Sequence, residues 1–117
     1  ETRVVLGIPA PLAPVKVAVL PLINKDGLPE KAQEVMNDLK YDFNCQYDPK
    51  DSIGKRYRRQ DAIGTPFCVT VDGDTLTEGT VTLRYRDSMK QERVPVEKLR
   101  EIIEDRVSIT SLLKKLQ

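Results

Sequence analysis

The residue pattern predicts an α/β fold, a three-layer α/β/α domain with a mixed sheet of about five strands. Three observations carry this expectation. Two short apolar runs, Val15 to Leu20 and Phe67 to Val71, read as strands covered on both faces, as in the middle of an α/β sheet. Helical periodicity follows the first of them. Further on, Thr80 to Arg86 alternates and passes through Asp87-Ser88-Met89-Lys90 into Gln91 to Val96, the pattern of an antiparallel hairpin. The predicted order is β-α-β-α-β-β-β-α.

Each element has a local cause. Residues 1–14, with Pro9, Pro11 and Pro14 ahead of the later Pro21, read as an extended lead-in, and the domain proper as 15–117. Asn24-Lys25-Asp26-Gly27 is a turn, after which Pro29 suits the first turn of a helix whose apolar stripe is Ala32, Val35, Met36 and Leu39. Phe43 to Tyr47 is a short strand. Ser52 is placed to cap a second helix, which Gly64-Thr65-Pro66 ends. Asp72-Gly73-Asp74 reads as a turn closing the strand before it. In the hairpin, Val81, Leu83 and Tyr85 share the core face, while Thr80, Thr82, Arg84 and Arg86 share a face expected to present arginines. Leu99, Ile102, Ile103 and Val107 mark a third helix, and Ile109, Leu112, Leu113 and Leu116 continue its stripe.

Composition narrows the function classes. The chain has 117 residues, enough for one core, with 39% apolar and 32% charged residues and a net charge of +1. No apolar run approaches the ~20 residues of a membrane helix. The start, Glu1-Thr2-Arg3, lacks both an initiator methionine and a signal peptide, so the expectation is a piece cut from a longer chain. Cys45 and Cys68 lie in separate apolar segments and read as buried free thiols, which suggests a reducing, cytoplasmic setting. There is no histidine, which removes Ser-His and Cys-His nucleophile pairs and the usual zinc sets. No catalytic residue and no metal ligand is assigned.

Two segments carry chemistry. Lys55-Arg56-Tyr57-Arg58-Arg59 holds the densest positive charge. At 100° per residue Ile53, Tyr57 and Gln60 fall on one side and Lys55, Arg58 and Arg59 spread over the other, so most of the charge should face solvent. Such a face is either a solvated surface, with Asp61 shielding Arg58, or one that grips phosphate and bases through guanidinium groups. The second segment is the polar hairpin face: Arg84, Arg86, Lys90, Gln91 and Arg93 with Asp87 and Glu92. Mixed donors and acceptors suit the edge of an unpaired base such as cytosine, and equally suit cross-strand ion pairing. Tyr57 could be a core aromatic or a stacking platform. Asp72 and Asp74 resemble a carboxylate pair but match turn composition. The glycines lack the spacing of a nucleotide cradle.

The run from Ser52 to Asp72, Ser-Ile-Gly-Lys-Arg-Tyr-Arg-Arg-Gln-Asp-Ala-Ile-Gly-Thr-Pro-Phe-Cys-Val-Thr-Val-Asp, resembles the C-terminal anticodon-binding domain of the dimeric, class II glycyl-tRNA synthetases. The stretches from Ala13 to Leu22 and from Thr82 to Gln91 resemble it too. Threonine-, proline- and histidine-specific domains share the fold, but the Ser52 to Asp72 string is similar to the glycine type. The resemblance implies recognition of the anticodon of glycine tRNA, which carries two shared cytosines, on behalf of a separate catalytic domain. That domain would attach glycine with ATP and Mg, while this piece would hold no cofactor and be inactive alone. It implies anticodon or RNA contacts by Arg56, Arg59, Arg84, Arg86, Asp87, Met89 and Gln91. The full-length protein would be a cytoplasmic homodimer and this piece a monomer. Tyr85 and Gly73 depart from the family pattern, which usually has aspartate and often phenylalanine there, and by alternation the first change should touch packing rather than base reading. Two rivals remain: a protein-interaction module without tRNA selectivity, similar to the mitochondrial DNA polymerase accessory subunit, and a small enzyme working through Asp72 and Asp74.

Overall fold

The structure, a computed structural model, describes residues 15–107. The expectations for 1–14 and for the stripe from Ile109 to Leu116 lie outside the described residues. In chain order the elements are β1 (Val17–Pro21), α1 (Leu28–Leu39), β2 (Cys45–Tyr47), α2 (Ile53–Ala62), β3 (Phe67–Val71), α3 (Gly73–Glu78), β4 (Thr80–Tyr85) and β5 (Gln91–Pro95), then a 3-10 turn at Val96–Lys98 and α4 (Leu99–Val107).

The five strands form one mixed sheet in the order β2-β1-β3-β4-β5. β1 is parallel to both neighbours, with Val17 opposite Cys45 on one side and Phe67 on the other, and every residue of β1 and β3 is buried. This double coverage explains their unbroken apolar character. β3 pairs antiparallel with β4, and β4 with β5, Arg84 opposite Gln91.

The connections dictate the layers. The chain passes outward from β1 to β2 through α1, then back across β1 to β3 through α2. Parallel crossovers are right-handed, so connections running in opposite directions place their helices on opposite faces. On the first face Val17, Val19, Phe67, Val69, Val71, Val81 and Leu83 pack with Leu28, Ala32, Val35 and Leu39 of α1 and with Leu99 and Ile103 of α4. The second core is much smaller: Ala18, Leu20 and Cys68, with Ile53 and Tyr57 of α2 against them.

Local chemistry agrees with most of the expected boundaries. Ser52 caps α2 by accepting from the Lys55 amide, and Pro29 sits in the first turn of α1. Gly27 precedes α1 with φ +80, a conformation that suits a residue without Cβ. One expectation is corrected. Asp72-Gly73-Asp74 opens the six-residue helix α3 rather than a simple turn, because the Asp72 carboxylate accepts from the Thr75 amide while the Thr75 hydroxyl accepts from the Asp72 amide. Gly79 ends that helix at φ +70.

Candidate nucleic-acid interface

The inward stripe of α2 is Ile53, Arg56, Tyr57, Gln60 and Asp61, spaced for one helix face but mostly polar. Opposite it, the sheet grades from apolar Ala18, Leu20 and Cys68 to polar Thr70, Thr82 and Arg84 as it crosses from β1 to β4. Polar stripe meets polar sheet, and burying such groups requires that they be paired. Arg84 donates from both terminal nitrogens to the Asp61 carboxylate at 2.8 and 2.9 Å, with side chains 3% and 0% exposed. Its guanidinium lies over the Tyr57 ring at 4.7 Å, and the Tyr57 hydroxyl bonds the Thr70 hydroxyl at 2.7 Å. The Asp61 carboxylate raises the Arg84 pKa through these hydrogen bonds, so the arginine stays charged.

Arg86, also buried, donates to the Gly64 carbonyl at 2.7 Å and to the Asp87 carboxylate at 2.9 Å. The expectation that Arg84 and Arg86 stand on an exposed face is therefore overturned. Alternation put them on the correct side of β4, but α2 covers that side. Asp61 serves Arg84 from inside the fold.

Arg56 is buried as well. Its guanidinium donates to the carbonyls of Pro21 and Leu22, at the end of β1, and to that of Asp48, just past β2. These are the carboxyl ends of adjacent parallel strands whose outgoing helices lie on opposite faces, the crevice where open α/β sheets commonly bind ligands. Here the chain's own arginine fills it. Desolvation lowers the Arg56 pKa. Arg59 is half-exposed and bridges the Asp48 and Asp51 carboxylates, while the Gln60 amide donates to Asp48 at 2.9 Å and accepts from the Thr65 hydroxyl. Of the basic run on α2, Arg56 and Arg59 are thus engaged with protein groups, and Lys55 is exposed.

The remaining sequence-selected residues gather at the hairpin tip. Asp87 is 75% exposed, Met89 is 41% exposed, and Gln91 is exposed at the start of β5. Met89 has φ +57, unusual for a residue with Cβ, held where the Tyr85 amide donates to the Lys90 carbonyl. The fold separates the two groups. Phe67, the first residue of β3, pairs with Tyr85, so the tip projects from the end of the sheet opposite the Arg56 crevice.

The neighbouring groups have other duties. Arg93 forks onto the Asp72 carboxylate at 2.7 Å from each terminal nitrogen and lies 4.0 Å from Asp74. Of the two carboxylates considered for catalysis, Asp72 therefore caps α3 and ties it to β5, and Asp74 stands exposed in the first turn of that helix. Among the described residues no group of three or more His, Cys, Asp or Glu is arranged to hold a metal ion. Tyr85 faces away from Arg84 and Arg86, packing edge-on against Phe67 with centroids 5.8 Å apart, as the alternation required. At Gly73 an added Cβ would meet open space, which explains why a larger side chain could occupy that position. Both cysteines are free; burial pushes the Cys45 thiol up to about 11 and the Cys68 thiol up to about 12.

Comparison with known proteins follows this geometry. The chain is 49% identical over 111 residues to a glycine-tRNA ligase of Rhodopirellula baltica, covering 95% of this chain and 21% of that protein. It is 58% identical over 95 residues to one of Treponema denticola, covering 81% of this chain and 21% of that protein. The chain spans about a fifth of the length of these relatives. The RNA binding domain of threonyl-tRNA synthetase from Cryptosporidium parvum Iowa II has the same fold, with a TM-score of 0.75 at 22% identity over 85% of this chain and 25% of that one. The family described as "Anticodon binding domain" matches residues 16–106, which include all five strands and the helices on both faces. The chain belongs to the anticodon-binding-domain family.

Proposed function

We propose that this chain is the anticodon-binding domain of a glycine-tRNA ligase and that it reads the anticodon of glycine tRNA. The observation that carries the reading is the extent of likeness to glycine-tRNA ligases, which takes in most of this chain and only about a fifth of each relative. The hairpin tip is the surface best suited to the task. Asp87 offers acceptors, Gln91 offers both a donor and an acceptor, Met89 offers apolar contact, and a short, paired strand connection holds them. Arg86 contributes from below by fixing the Asp87 carboxylate, and Arg84 by fixing β4 against α2.

In this reading the ligation of glycine to tRNA belongs to the rest of the longer, homodimeric, cytoplasmic enzyme, along with ATP and Mg. Asp72, for its part, is engaged with Arg93 and with the cap of α3. No helix among the described residues is long and apolar enough to cross a membrane.

The test is binding of the chain to a glycine tRNA anticodon stem-loop at fixed salt, against stem-loops with each shared cytosine replaced. Replacement of either cytosine should weaken binding at least tenfold, and Asp87→Ala and Gln91→Ala should erase that discrimination while Lys40→Ala leaves it intact. Equal, salt-sensitive binding to every stem-loop would refute the proposal and favour a module that does not select tRNA.

A further inference from the structure

Beside the hairpin tip lies a cleft of about 350 Å³ lined by Tyr85, Ser88, Lys90, Gln91, Glu92 and Arg106. Its volume falls near the lower end for small-ligand sites, suited to one nucleotide rather than a length of strand. The Arg106 guanidinium lies over the Tyr85 ring at 5.0 Å, and Tyr85 is itself braced by Phe67. A planar cation backed by an aromatic ring is a stacking platform, since guanidinium stacks on bases as readily as on rings. The Tyr85 hydroxyl donates to Glu92 Oε1 at 2.6 Å. Burial and the nearby Glu92 carboxylate push Tyr85 up to about 12, so the hydroxyl keeps its proton at neutral pH and Glu92 Oε2 remains an acceptor. Lys90 and Gln91 also line the cleft and bring donors to it.

We propose that this cleft receives one unpaired nucleobase carrying an exocyclic amino group, stacked on Arg106, with its amino group donating to Glu92 and its carbonyl oxygen accepting from Lys90 or Gln91. Cytosine presents this pattern, whereas uracil replaces the amino donor with an acceptor that would face the Glu92 carboxylate. The cleft shares Gln91 with the hairpin tip and adds Tyr85, Glu92 and Arg106 to it. The inference rests on the proposed reading of RNA at that tip.

Amide chemical shifts of the 117-residue chain, titrated with cytidine 5′-monophosphate and separately with uridine 5′-monophosphate, test it directly. Cytidine monophosphate should move the amides of Gln91, Glu92 and Arg106 and bind at least fivefold more tightly than its uridine counterpart. Glu92→Gln, which retains an acceptor for Tyr85, should abolish that preference. Arg106→Ala should weaken both nucleotides by roughly tenfold, the scale of one base-stacking contact. Equal shifts with both nucleotides, unchanged by Glu92→Gln, would overturn the proposal, as would perturbations confined to α2. The anticodon stem-loop separates the two readings. Cytosine-selective stem-loop binding untouched by either variant removes the cleft and leaves anticodon reading, whereas cytidine-selective binding in the cleft without stem-loop binding supports the cleft and removes anticodon reading.

Discussion

Replacing Asp61 by alanine should cost this domain about 3–5 kcal/mol of stability, the range for breaking a buried ion pair from one side. The magnitude follows from where the partner is left. Arg84 is only 3% exposed, donates two hydrogen bonds to the Asp61 carboxylate at 2.8 and 2.9 Å, and lies beneath α2 on the Tyr57 ring. Without Asp61 that charge has neither its carboxylate nor ready access to water. The intrinsic preference of alanine for a helix opposes the loss by only about 0.6 kcal/mol, too little to change its sign. With a urea slope of roughly 2 kcal/mol/M for a small domain, the unfolding midpoint should fall by roughly 2 M. The paired replacement Asp61→Leu with Arg84→Met removes both charges and should recover most of the stability, because the desolvation cost disappears with the attraction. Urea unfolding followed by circular dichroism reads all three proteins. A loss below about 1 kcal/mol for Asp61→Ala would refute the reasoning, since it would mean that Arg84 can leave its buried position at little cost.

Three further outcomes follow from the same structure. Arg56→Met should lower the melting temperature by at least ~10 °C, as three carbonyls at the ends of β1 and β2 lose their donor, and calorimetry checks it. The Arg93 guanidinium holds the Asp72 carboxyl below its ordinary value, so the folded pKa lies below the unfolded one. The stabilisation is present above the ordinary carboxylate value and fades as pH falls through the folded value; Arg93→Gln should therefore lose stability above about pH 5, with the gap to the parent closing in acid. The raised thiols of Cys45 and Cys68 predict slow labelling by a disulfide reagent at pH 8 in the folded protein and rapid labelling of both once urea unfolds it.

Residue order alone determined the five strands, the capped helix α2, the late hairpin and the family, because each rests on local periodicity, on turn and cap residues, or on a long ordered string such as Ser52 to Asp72. The short helix α3 escaped because Asp72-Gly73-Asp74 is both turn and N-cap composition; Asp72 with Thr75 three residues on, and Gly79 beyond, was the legible signal. Alternation along β4 could state that Arg84 and Arg86 share a face. What covers that face was decided by two opposed right-handed crossovers, which bring α2 over it and join Arg84 to Asp61, a residue 23 positions away. The same tertiary step sent Arg56 into the crevice past β1 and β2. Guanidinium groups carry equal charge whether they face RNA or protein carbonyls, so composition cannot sort them; burial and partner geometry do. Here they leave Asp87, Met89 and Gln91 at the hairpin tip and draw Arg56, Arg84 and Arg86 inside, where long-range pairing offsets the cost of removing three charges from water.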